Sequence, residues 1–288
     1  MLRSVGALVN PPFRAPISAP SRARVSPVDA DPGDLAAWLR TRWLGRSSVY
    51  HEVVGSTQDE ARRLAAEGAP HGLLVWAGEQ TAGRGRMARR WQSEAAAGLW
   101  FSVVLRPSQP AERLAPLPLA VGAAVGGALD QLAPCHVRLK WPNDVLLDGR
   151  KVAGILVEGH AAAGIIDHAV VGVGVNLARP SGGFEAEITE TAAALADATG
   201  AAPGAARTLA TILGEMEGAY DQLLAEGPAT ARSRWLGLAD TIGREVTAQV
   251  DGHELKGQAA DLDAQGNLVI LVDGRPVTIS YGEIQHLR

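Results

Sequence analysis

Residues 145–157 read VLLDGRKVAGILV, two apolar runs separated by Asp148 and Gly149. An Asp-Gly pair accepts the positive φ angles that a tight hairpin turn requires. The stretch therefore predicts two antiparallel strands, Val145–Leu147 and Val152–Val157. A sheet that contains such a pair does not fit a purely parallel, doubly wound architecture.

Strands and helices alternate on both sides of this hairpin. Apolar runs predict further strands at Val49–Val54, Gly72–Ala77, Gly98–Leu105, Val137–Trp141 and His168–Asn176. Helical spacing and end signals predict helices at Leu35–Trp43, Gln58–Glu67, Leu119–Leu132, Ala205–Leu224 and Pro228–Trp235. The fold class expected from this order is a mixed α/β (α+β) domain whose sheet includes antiparallel pairs.

The C-terminal segment has a different character. Glu245–Leu287 consists of short β-rich runs separated by turn signals such as Asp273-Gly274. This pattern predicts a small barrel of about five strands. We accordingly divide the chain into a flexible N-terminal extension at residues 1–30, an α/β domain at residues 31–238 and the barrel at residues 239–288.

Composition disfavours several classes of protein. The 288 residues carry 27 Lys and Arg against 31 Asp and Glu, a formal charge of −4, so nucleic-acid binding has no electrostatic support. The single cysteine, Cys135, cannot form an internal disulfide, and the histidines lack zinc-site spacing, which indicates the cytoplasm. No apolar run reaches the roughly 18 residues of a membrane span, and no secretory signal is recognisable.

The loop at 78–91, GEQTAGRGRMARRW, interleaves glycines with arginines. Glycine lets a ligand approach the backbone, and arginine offers a planar fork to carboxylate or phosphate oxygens, so the loop predicts an anion site. A solvated surface loop is the alternative. The loop also matches the dinucleotide pattern G-x-G-x-x-A, but the acidic residue expected about 20 positions later is missing.

Two further segments are candidates for a binding site. Lys140-Trp141-Pro142-Asn143-Asp144 closes a predicted strand with polar groups, and Lys151 follows across the hairpin; an ordinary polar turn is the alternative. Gly172 and Gly174 alternate with valines, so both face one side of a strand. Such a strand is typical of a pocket floor or of close packing against a helix.

Taken in order, five motifs resemble those of biotin protein ligases, which adenylate biotin and pass it to a carrier lysine. The motifs are Gly55-Ser56-Thr57, Gln80 with GRGR at 83–86 and Trp91, KWPND at 140–144, GRKVAGILVE at 149–158, and GVGVN at 172–176. The resemblance covers about residues 35–287 and implies a catalytic domain of the biotin/lipoate ligase type followed by an SH3-like barrel. It points to the single-function class without a DNA-binding domain.

The resemblance also implies the roles of individual residues. Ser56, Thr57 and Gln80 would bind the ureido group of biotin, because a buried urea needs both donors and acceptors. The expected biotin-binding set is completed by Gly83, Arg84, Lys151, Gly154, Gly172 and Gly174. The expected ATP-binding set is Arg84, Arg86, Trp91, Lys140, Asn143, Lys151 and Asn176, with Trp91 packed on the adenine.

Three of these residues are the expected catalytic groups. Lys151 and Arg86 would reduce the repulsion between the biotin carboxylate and the α-phosphate of ATP. Asp144 would either bind Mg²⁺ or orient the incoming lysine amine, and the residues leave both roles open. ATP, biotin and Mg²⁺ are thus the implied substrates and cofactor.

The glycine-rich loop departs from the family at two positions. Met87 replaces a more usual polar or basic side chain, and Ala88 stands where the family often has glycine. By resemblance we expect the loop to become ordered over biotinyl-AMP and to keep water from it.

The implied partner is the biotin carboxyl carrier domain of an acyl-CoA carboxylase, and we expect neither DNA nor membrane binding. The resemblance suggests a monomer or weak homodimer. A lipoate or octanoate ligase of the same fold is the nearest alternative, although that family lacks the GRGR loop with Gln80. A biotin-responsive repressor is the second alternative, which the acidic net charge disfavours.

Overall fold

A computed structural model describes residues 32–133, 136–162, 164–250, 253–280 and 283–286. The predicted N-terminal extension and Cys135 therefore lie outside the described residues. The helices are α1 (Pro32–Trp38), α2 (Thr57–Ala66), α3 (Ala111–Leu114), α4 (Leu117–Leu132), α5 (Ala196–Thr199), α6 (Ala205–Glu226) and α7 (Pro228–Gly237). Among the described residues, no helix is long and apolar enough to cross a membrane.

Seven strands form the large sheet in the order β1-β2-β3-β7-β6-β5-β4. They are β1 (Ser48–Val54), β2 (Leu74–Gln80), β3 (Gly98–Leu105), β4 (Val137–Lys140), β5 (Asp144–Leu147), β6 (Arg150–Ala162) and β7 (Ile165–Asn176). The β1 and β2 strands are parallel because α2 crosses between them, and all other neighbours are antiparallel. The mixed sheet predicted from the sequence is confirmed.

The predicted hairpin is present between β5 and β6. Asp148 and Gly149 have φ angles of 48° and 77°, which is the left-handed conformation that this turn demands. The β6 strand continues beyond the predicted Val157 because it pairs with β7 over nearly its whole length. The hairpin thereby places β5 and the start of β6 beside the floor formed by β7.

Helices cover the two faces of the sheet unequally. On one face α4 packs against β4, β5 and β6 and against α6, and its residues are buried almost all round. On the other face the small helix α2 covers β2, β3 and part of β7. A helix that is apolar on every side needs a second layer, which α6 and α7 provide. The α2 face is therefore the more thinly covered one.

The C-terminal strands form a second, five-stranded antiparallel sheet, as predicted. They are β8 (Glu245–Val250), β9 (His253–Leu262), β10 (Leu268–Val272), β11 (Arg275–Ile279) and β12 (Glu283–His286), in the order β11-β10-β9-β8-β12. Arg232 on α7 donates to the Asp261 carboxylate and to the Leu262 carbonyl, 2.7 Å away, on β9. These bonds join α7 to the C-terminal sheet.

The first helix is shorter than predicted: α1 ends at Trp38 rather than at Trp43. Glu217 of α6 accepts the backbone N–H groups of Arg42, Trp43 and Leu44 at 2.7 to 3.0 Å. If α1 continued, these three N–H groups would bond to carbonyls within the helix. They bond to the buried Glu217 carboxylate instead, and the chain at residues 42–44 forms an irregular turn. Helical spacing in the sequence could not reveal this long-range contact.

Candidate active site

The predicted site residues converge on the α2 face of the sheet. Ser56 and Thr57 lie at the start of α2, Gln80 at the end of β2, Lys151 and Gly154 on β6, and Gly172 and Gly174 on β7. The loop after β2 brings Trp91 over Gly154 and Gly174. Segments far apart in the sequence therefore border one site on this face, which we call the groove.

A polar pair between α2 and β2 forms one end of the groove. Gln80 Oε1 accepts from the Thr57 backbone N–H at 2.8 Å and lies 3.1 Å from the Thr57 hydroxyl. Gln80 Nε2 donates to Ser93 Oγ at 2.9 Å, which holds the amide in one orientation. Ser56 is buried and its Oγ has no hydrogen-bond partner within the described residues. Buried hydroxyls beside a half-buried amide suit a urea-like ligand.

Three polar residues that sequence reasoning missed extend this pair. The Ser102 hydroxyl lies 3.0 Å from Thr57 Oγ1 and 3.2 Å from Gln58 Oε1. Gln58 Nε2 donates to Glu158 Oε2 at 2.9 Å. Ser102 is the hydroxyl within the otherwise apolar run GLWFSVVL, and this isolation was the signal that could have identified it.

Gly172 is required by this arrangement. A Cβ at Gly172 would come within 2.4 Å of Gln58 Oε1 and 3.4 Å of Ser102 Oγ. The first distance is far below any real Cβ contact, so the Gln58 amide occupies the space that the missing side chain leaves. Both pattern interpretations of this glycine, a pocket floor and close packing against a helix, are therefore compatible with the structure.

The glycine-rich loop folds back on itself and is closed by backbone hydrogen bonds between its two arms. The Trp91 N–H donates to the Gly83 carbonyl at 2.9 Å, and the Gly85 N–H donates to the Arg89 carbonyl at 2.7 Å. At the tip, Met87 and Ala88 have φ angles of 54° and 58°. This left-handed conformation favours glycine, and the family pattern often has glycine at the second of these positions. The chain thus adopts the turn without the usual residue.

Arg84 and Arg86 of the loop reach opposite walls of the groove. Arg84 contacts Asp59 Oδ1 on α2 at 2.6 Å and Glu158 Oε1 on β6 at 3.2 Å. Arg86 Nη1 lies 3.5 Å from Asn143 Oδ1 in the turn between β4 and β5. The loop is therefore anchored on both sides, with Arg86 near Asn143 and Asp144.

Trp91 lies over two glycines of the floor. A Cβ at Gly174 would come within 2.6 Å of the indole ring, and a Cβ at Gly154 within 2.9 Å. The Lys151 ammonium lies 5.0 Å from the Trp91 ring centroid, a distance typical of a cation–π contact. The glycines let a flat aromatic wall lie close to the strands, and Lys151 lies at its edge.

Lys151 and Asp144 form an ion pair across the hairpin. Lys151 Nζ lies 2.6 Å from Asp144 Oδ1. The angles of this contact are not those of a hydrogen bond, and the buried oxygen has no other hydrogen-bond partner among the described residues. A bulge between Val145 and Leu146 shifts the register of β5 against β6 there. The backbone of Lys151 is fixed as well, since its N–H donates to the Thr191 carbonyl at 2.7 Å.

The remaining predicted residues have other observed contacts. Lys140 pairs in register with Asp144 at the end of β4. Asn143 Nδ2 donates to the Ile155 carbonyl at 2.8 Å, and Asn176 Nδ2 donates to the Ala193 carbonyl at 3.0 Å. Trp141 is buried and donates to the Gly266 carbonyl at 3.0 Å, so it faces the C-terminal sheet.

A metal site made by the protein alone is not seen in the described part of the chain. No group of three or more His, Cys, Asp or Glu side chains is placed there to hold an ion. Mg²⁺ is commonly bound by one or two carboxylates together with substrate phosphates and water. Asp144 Oδ1, which is buried and whose contact with the Lys151 ammonium lacks hydrogen-bond alignment, fits the role of a single such ligand.

Comparison with known proteins agrees with this geometry. Residues 50–176 match the biotin/lipoate A/B protein ligase family, and residues 241–287 match the biotin protein ligase C terminal domain. The chain is 36% identical over 267 residues to a biotin--[acetyl-CoA-carboxylase] ligase of Mycobacterium tuberculosis, covering 87% of this chain and 94% of that protein. It is 34% identical to the bifunctional ligase/repressor BirA of Bacillus subtilis, covering 81% and 71%.

A solved structure shows the same architecture. The biotin protein ligase from Aquifex aeolicus in complex with biotin and ATP superposes with a TM-score of 0.73 at 28% identity, covering 84% of this chain and 99% of that one. The fold, the groove and these matches define a protein ligase whose catalytic domain is built on a mixed sheet. The chain belongs to the biotin/lipoate A/B protein ligase family. Within that family, its C-terminal domain and its relatives group it with the biotin protein ligases.

Proposed function

We propose that this chain joins biotin to ATP to form biotinyl-5′-AMP and then passes the biotin to a lysine of a carrier protein. The observation that carries this function is the placement of Lys151 Nζ, 2.6 Å from Asp144 and beside Trp91, in a groove that also holds the Thr57–Gln80 pair. One end of the groove is suited to a neutral urea. The other end is suited to anions.

In the first step, a biotin carboxylate oxygen attacks the α-phosphorus of ATP, a P–O bond forms, and pyrophosphate leaves. Two anions must approach each other, so the reaction needs cations aimed at the developing charge. Lys151 and Arg86 are the proposed catalytic cations. Lys151 exchanges its Asp144 partner for substrate oxygens, and Arg86 moves from Asn143 to the phosphate.

In the second step, the carrier lysine nitrogen attacks the acyl carbon of biotinyl-AMP, an amide bond forms, and AMP leaves. The amine must lose a proton before or during attack, and a carboxylate is suited to receive it. Asp144 is the proposed group for this role or for Mg²⁺. When bound, Mg²⁺ would neutralise charge on the ATP phosphates.

The remaining proposed contacts follow from the groove. Ser56, Thr57 and Gln80 bind the ureido ring, while Gly83, Arg84, Gly154, Gly172 and Gly174 border the intermediate. Trp91 packs on the adenine, and Lys140, Asn143 and Asn176 bind nucleotide. Several of these side chains already have protein partners, so substrate binding requires that they exchange them.

The proposed partner is the biotin carboxyl carrier domain of an acyl-CoA carboxylase. We further propose that the protein acts in the cytoplasm as a monomer or weak homodimer and does not bind DNA. The formal charge of −4 supports the last point. A mobility shift of promoter DNA that responded to biotin would contradict it.

Intact-mass analysis of a purified carrier domain tests the function. The domain is incubated with the protein, biotin, ATP and Mg²⁺, beside Lys151→Ala and the matched control Lys256→Ala, whose ammonium pairs with Glu254 on β9. We expect a biotin-sized gain that Lys151→Ala loses and Lys256→Ala keeps. A gain only on a lipoyl domain supplied with lipoate would assign the chain to the lipoate branch instead.

A further inference from the structure

Glu158 connects two parts of the groove that no motif linked. Its Oε2 accepts from Gln58 Nε2 at 2.9 Å, and its Oε1 accepts from Arg84 Nη2 at 3.2 Å. Gln58 belongs to the polar cluster at the ureido end, whereas Arg84 belongs to the glycine-rich loop. One oxygen of the Glu158 carboxylate therefore binds the polar cluster, and the other binds the glycine-rich loop.

The Glu158 carboxylate determines how the Gln58 amide is oriented. A carboxylate only accepts hydrogen bonds, so the NH₂ side of Gln58 must face it. The Val170 carbonyl, 3.3 Å from the same nitrogen, imposes the same orientation. Gln58 Oε1 must then point to the other side, over Gly172 and towards Ser102.

The orientation of the Gln58 amide fixes the direction in which the neighbouring hydroxyl groups donate their protons. Because Gln58 Oε1 can only accept, the Ser102 proton goes to it, and Ser102 Oγ is left to accept from Thr57. Thr57 has one hydroxyl proton and two neighbours, Ser102 Oγ at 3.0 Å and Gln80 Oε1 at 3.1 Å. With the proton on the Ser102 side, Gln80 Oε1 accepts only the Thr57 backbone N–H and keeps a lone pair available.

We propose that Glu158 is a positioning residue that sets the donor and acceptor polarity of the ureido end through Gln58 and Ser102. The inference rests on the proposed function, because it assigns the resulting acceptors, Gln80 Oε1 and Thr57 Oγ1, to the N–H groups of a cyclic urea. By the same carboxylate, Glu158 holds Arg84 against the groove wall.

Glu158→Gln reverses the polarity in a defined way. A glutamine has one acceptor oxygen, and the Arg84 guanidinium, which can only donate, takes it. The new amide nitrogen then faces the NH₂ side of Gln58, and two donors cannot bond each other, so the Gln58 amide turns round. The turn gives up the longer contact of Gln58 Nε2 with the Val170 carbonyl, at 3.3 Å. Ser102 no longer has Gln58 Oε1 as its acceptor, so the Thr57 proton turns to Gln80 and occupies the free lone pair.

The chain offers a matched control and a second variant. Asp59→Asn also weakens the contact of a carboxylate with Arg84, but the Asp59 carboxylate accepts from Arg62 and Arg84 and not, within the described residues, from Gln58. Ser102→Ala interrupts the hydroxyl chain and leaves Glu158 and Arg84 in place. Thermal melting and circular dichroism check that each variant is folded.

The test measures binding by calorimetry without ATP, for biotin and for cyclic carbamate analogues in which one ureido N–H is replaced by a ring oxygen. For the wild type we expect the analogues to bind roughly tenfold or more weakly, since each leaves an acceptor unpaired. In Glu158→Gln and Ser102→Ala the penalty for the analogue that lacks the N–H facing Gln80 should fall to about twofold, because the Thr57 proton already occupies that acceptor. Asp59→Asn should keep the wild-type penalty.

An unchanged penalty in either Glu158→Gln or Ser102→Ala would overturn the proposal, because a merely structural loss weakens biotin and its analogues equally. Failure of the proposed function gives a different result. A wild-type protein that binds biotin but forms no biotinyl-AMP with ATP would contradict the ligase reaction and leave the polarity test intact.

Discussion

Lys151 Nζ and Asp144 Oδ1 lie 2.6 Å apart on neighbouring strands of one hairpin, and the same ammonium lies 5.0 Å from the centroid of the Trp91 ring. The pair is partly accessible, with about a third of the lysine side chain exposed. An accessible ion pair can exchange partners at little cost. The hairpin thus places a cation and a carboxylate side by side, and each can exchange its partner for a substrate group.

Asp144→Asn separates the two roles proposed for this carboxylate. We expect overall carrier biotinylation to fall at least roughly tenfold, because an amide is a poor proton acceptor and a weak Mg²⁺ ligand. The two half-reactions are measured separately, by pyrophosphate release and by transfer from preformed biotinyl-AMP. A loss confined to the transfer step would show that Asp144 acts on the lysine amine. A raised Mg²⁺ requirement in pyrophosphate release would show that Asp144 binds the metal.

Asp148→Asn is the matched control for that experiment. Asp148 lies in the turn of the same hairpin and faces His136, and asparagine tolerates its positive φ. It should keep wild-type rates. If Asp144→Asn also stayed within twofold of wild type in both half-reactions, neither proposed role would stand.

Gly174→Ala should weaken nucleotide binding. The added methyl would come within 2.6 Å of the Trp91 indole, and overpacking of this kind costs about 1–3 kcal/mol. We expect the KM for ATP to rise roughly tenfold if Trp91 packs on the adenine. Gly159→Ala on β6 is the control, since its methyl would meet only Ile166 at 3.6 Å. Equal KM values for the two variants would refute the role given to Trp91.

The glycine-rich loop should become protected when the intermediate forms. Arg84, Arg86, Arg89 and Arg90 are four possible trypsin sites within it. Closure over biotinyl-AMP would bury the backbone, so cleavage should slow several-fold with biotin plus ATP. Lys151→Ala, which should form no intermediate, provides the comparison. Cleavage of the wild type at the same rate with and without substrates would argue against closure.

Arg232→Ala should destabilise the contact between α7 and the C-terminal sheet. The guanidinium binds the Asp261 carboxylate and the Leu262 carbonyl, but a third of it is exposed, so we expect a loss of about 1 kcal/mol. That corresponds to a fall in Tm of roughly 2–4 °C. Arg234→Ala removes a neighbouring arginine of α7 that pairs with Glu215 of α6 at 3.4 Å. It should have a smaller effect, and equal falls would contradict the assignment.

Glu217→Gln should make stability less dependent on pH. Burial acts to raise the Glu217 pKa, but three backbone N–H donors at Leu44, Arg42 and Trp43 outweigh it and hold the pKa below its ordinary value. A lowered folded-state pKa stabilises the protein above the unfolded pKa, and this contribution disappears as pH falls through the folded pKa.

The variant should therefore lose about 2 kcal/mol at pH 7, with a difference from wild type that shrinks below roughly pH 4.5. Denaturant unfolding at several pH values measures this. Glu215→Gln on the same helix is the control, because the Glu215 carboxylate accepts from the side chains of Gln131 and Arg234 rather than from backbone N–H groups. A difference that stayed constant down to acidic pH would show that the charge of Glu217 is not the cause.

The sequence alone determined the hairpin, the mixed sheet and the small C-terminal sheet, because these features depend on local patterns. Asp148-Gly149 dictates a turn, and alternating or continuous apolar runs dictate strands, whatever the rest of the chain does. The motifs that carry Gln80, Arg84, Lys151 and Gly174 were recognisable for the same reason, since each is a short run with an unusual composition.

Tertiary structure decided the contacts between residues distant in sequence. Glu217 ends α1 early from more than 170 positions away, Glu158 joins Gln58 to Arg84, and Trp141 turns to the C-terminal sheet. No local pattern encodes such pairs, because a buried polar group bonds with whatever partner the packed chain brings within reach. Local preference placed the strands and turns, while the need to satisfy buried polar groups set the polarity of the groove.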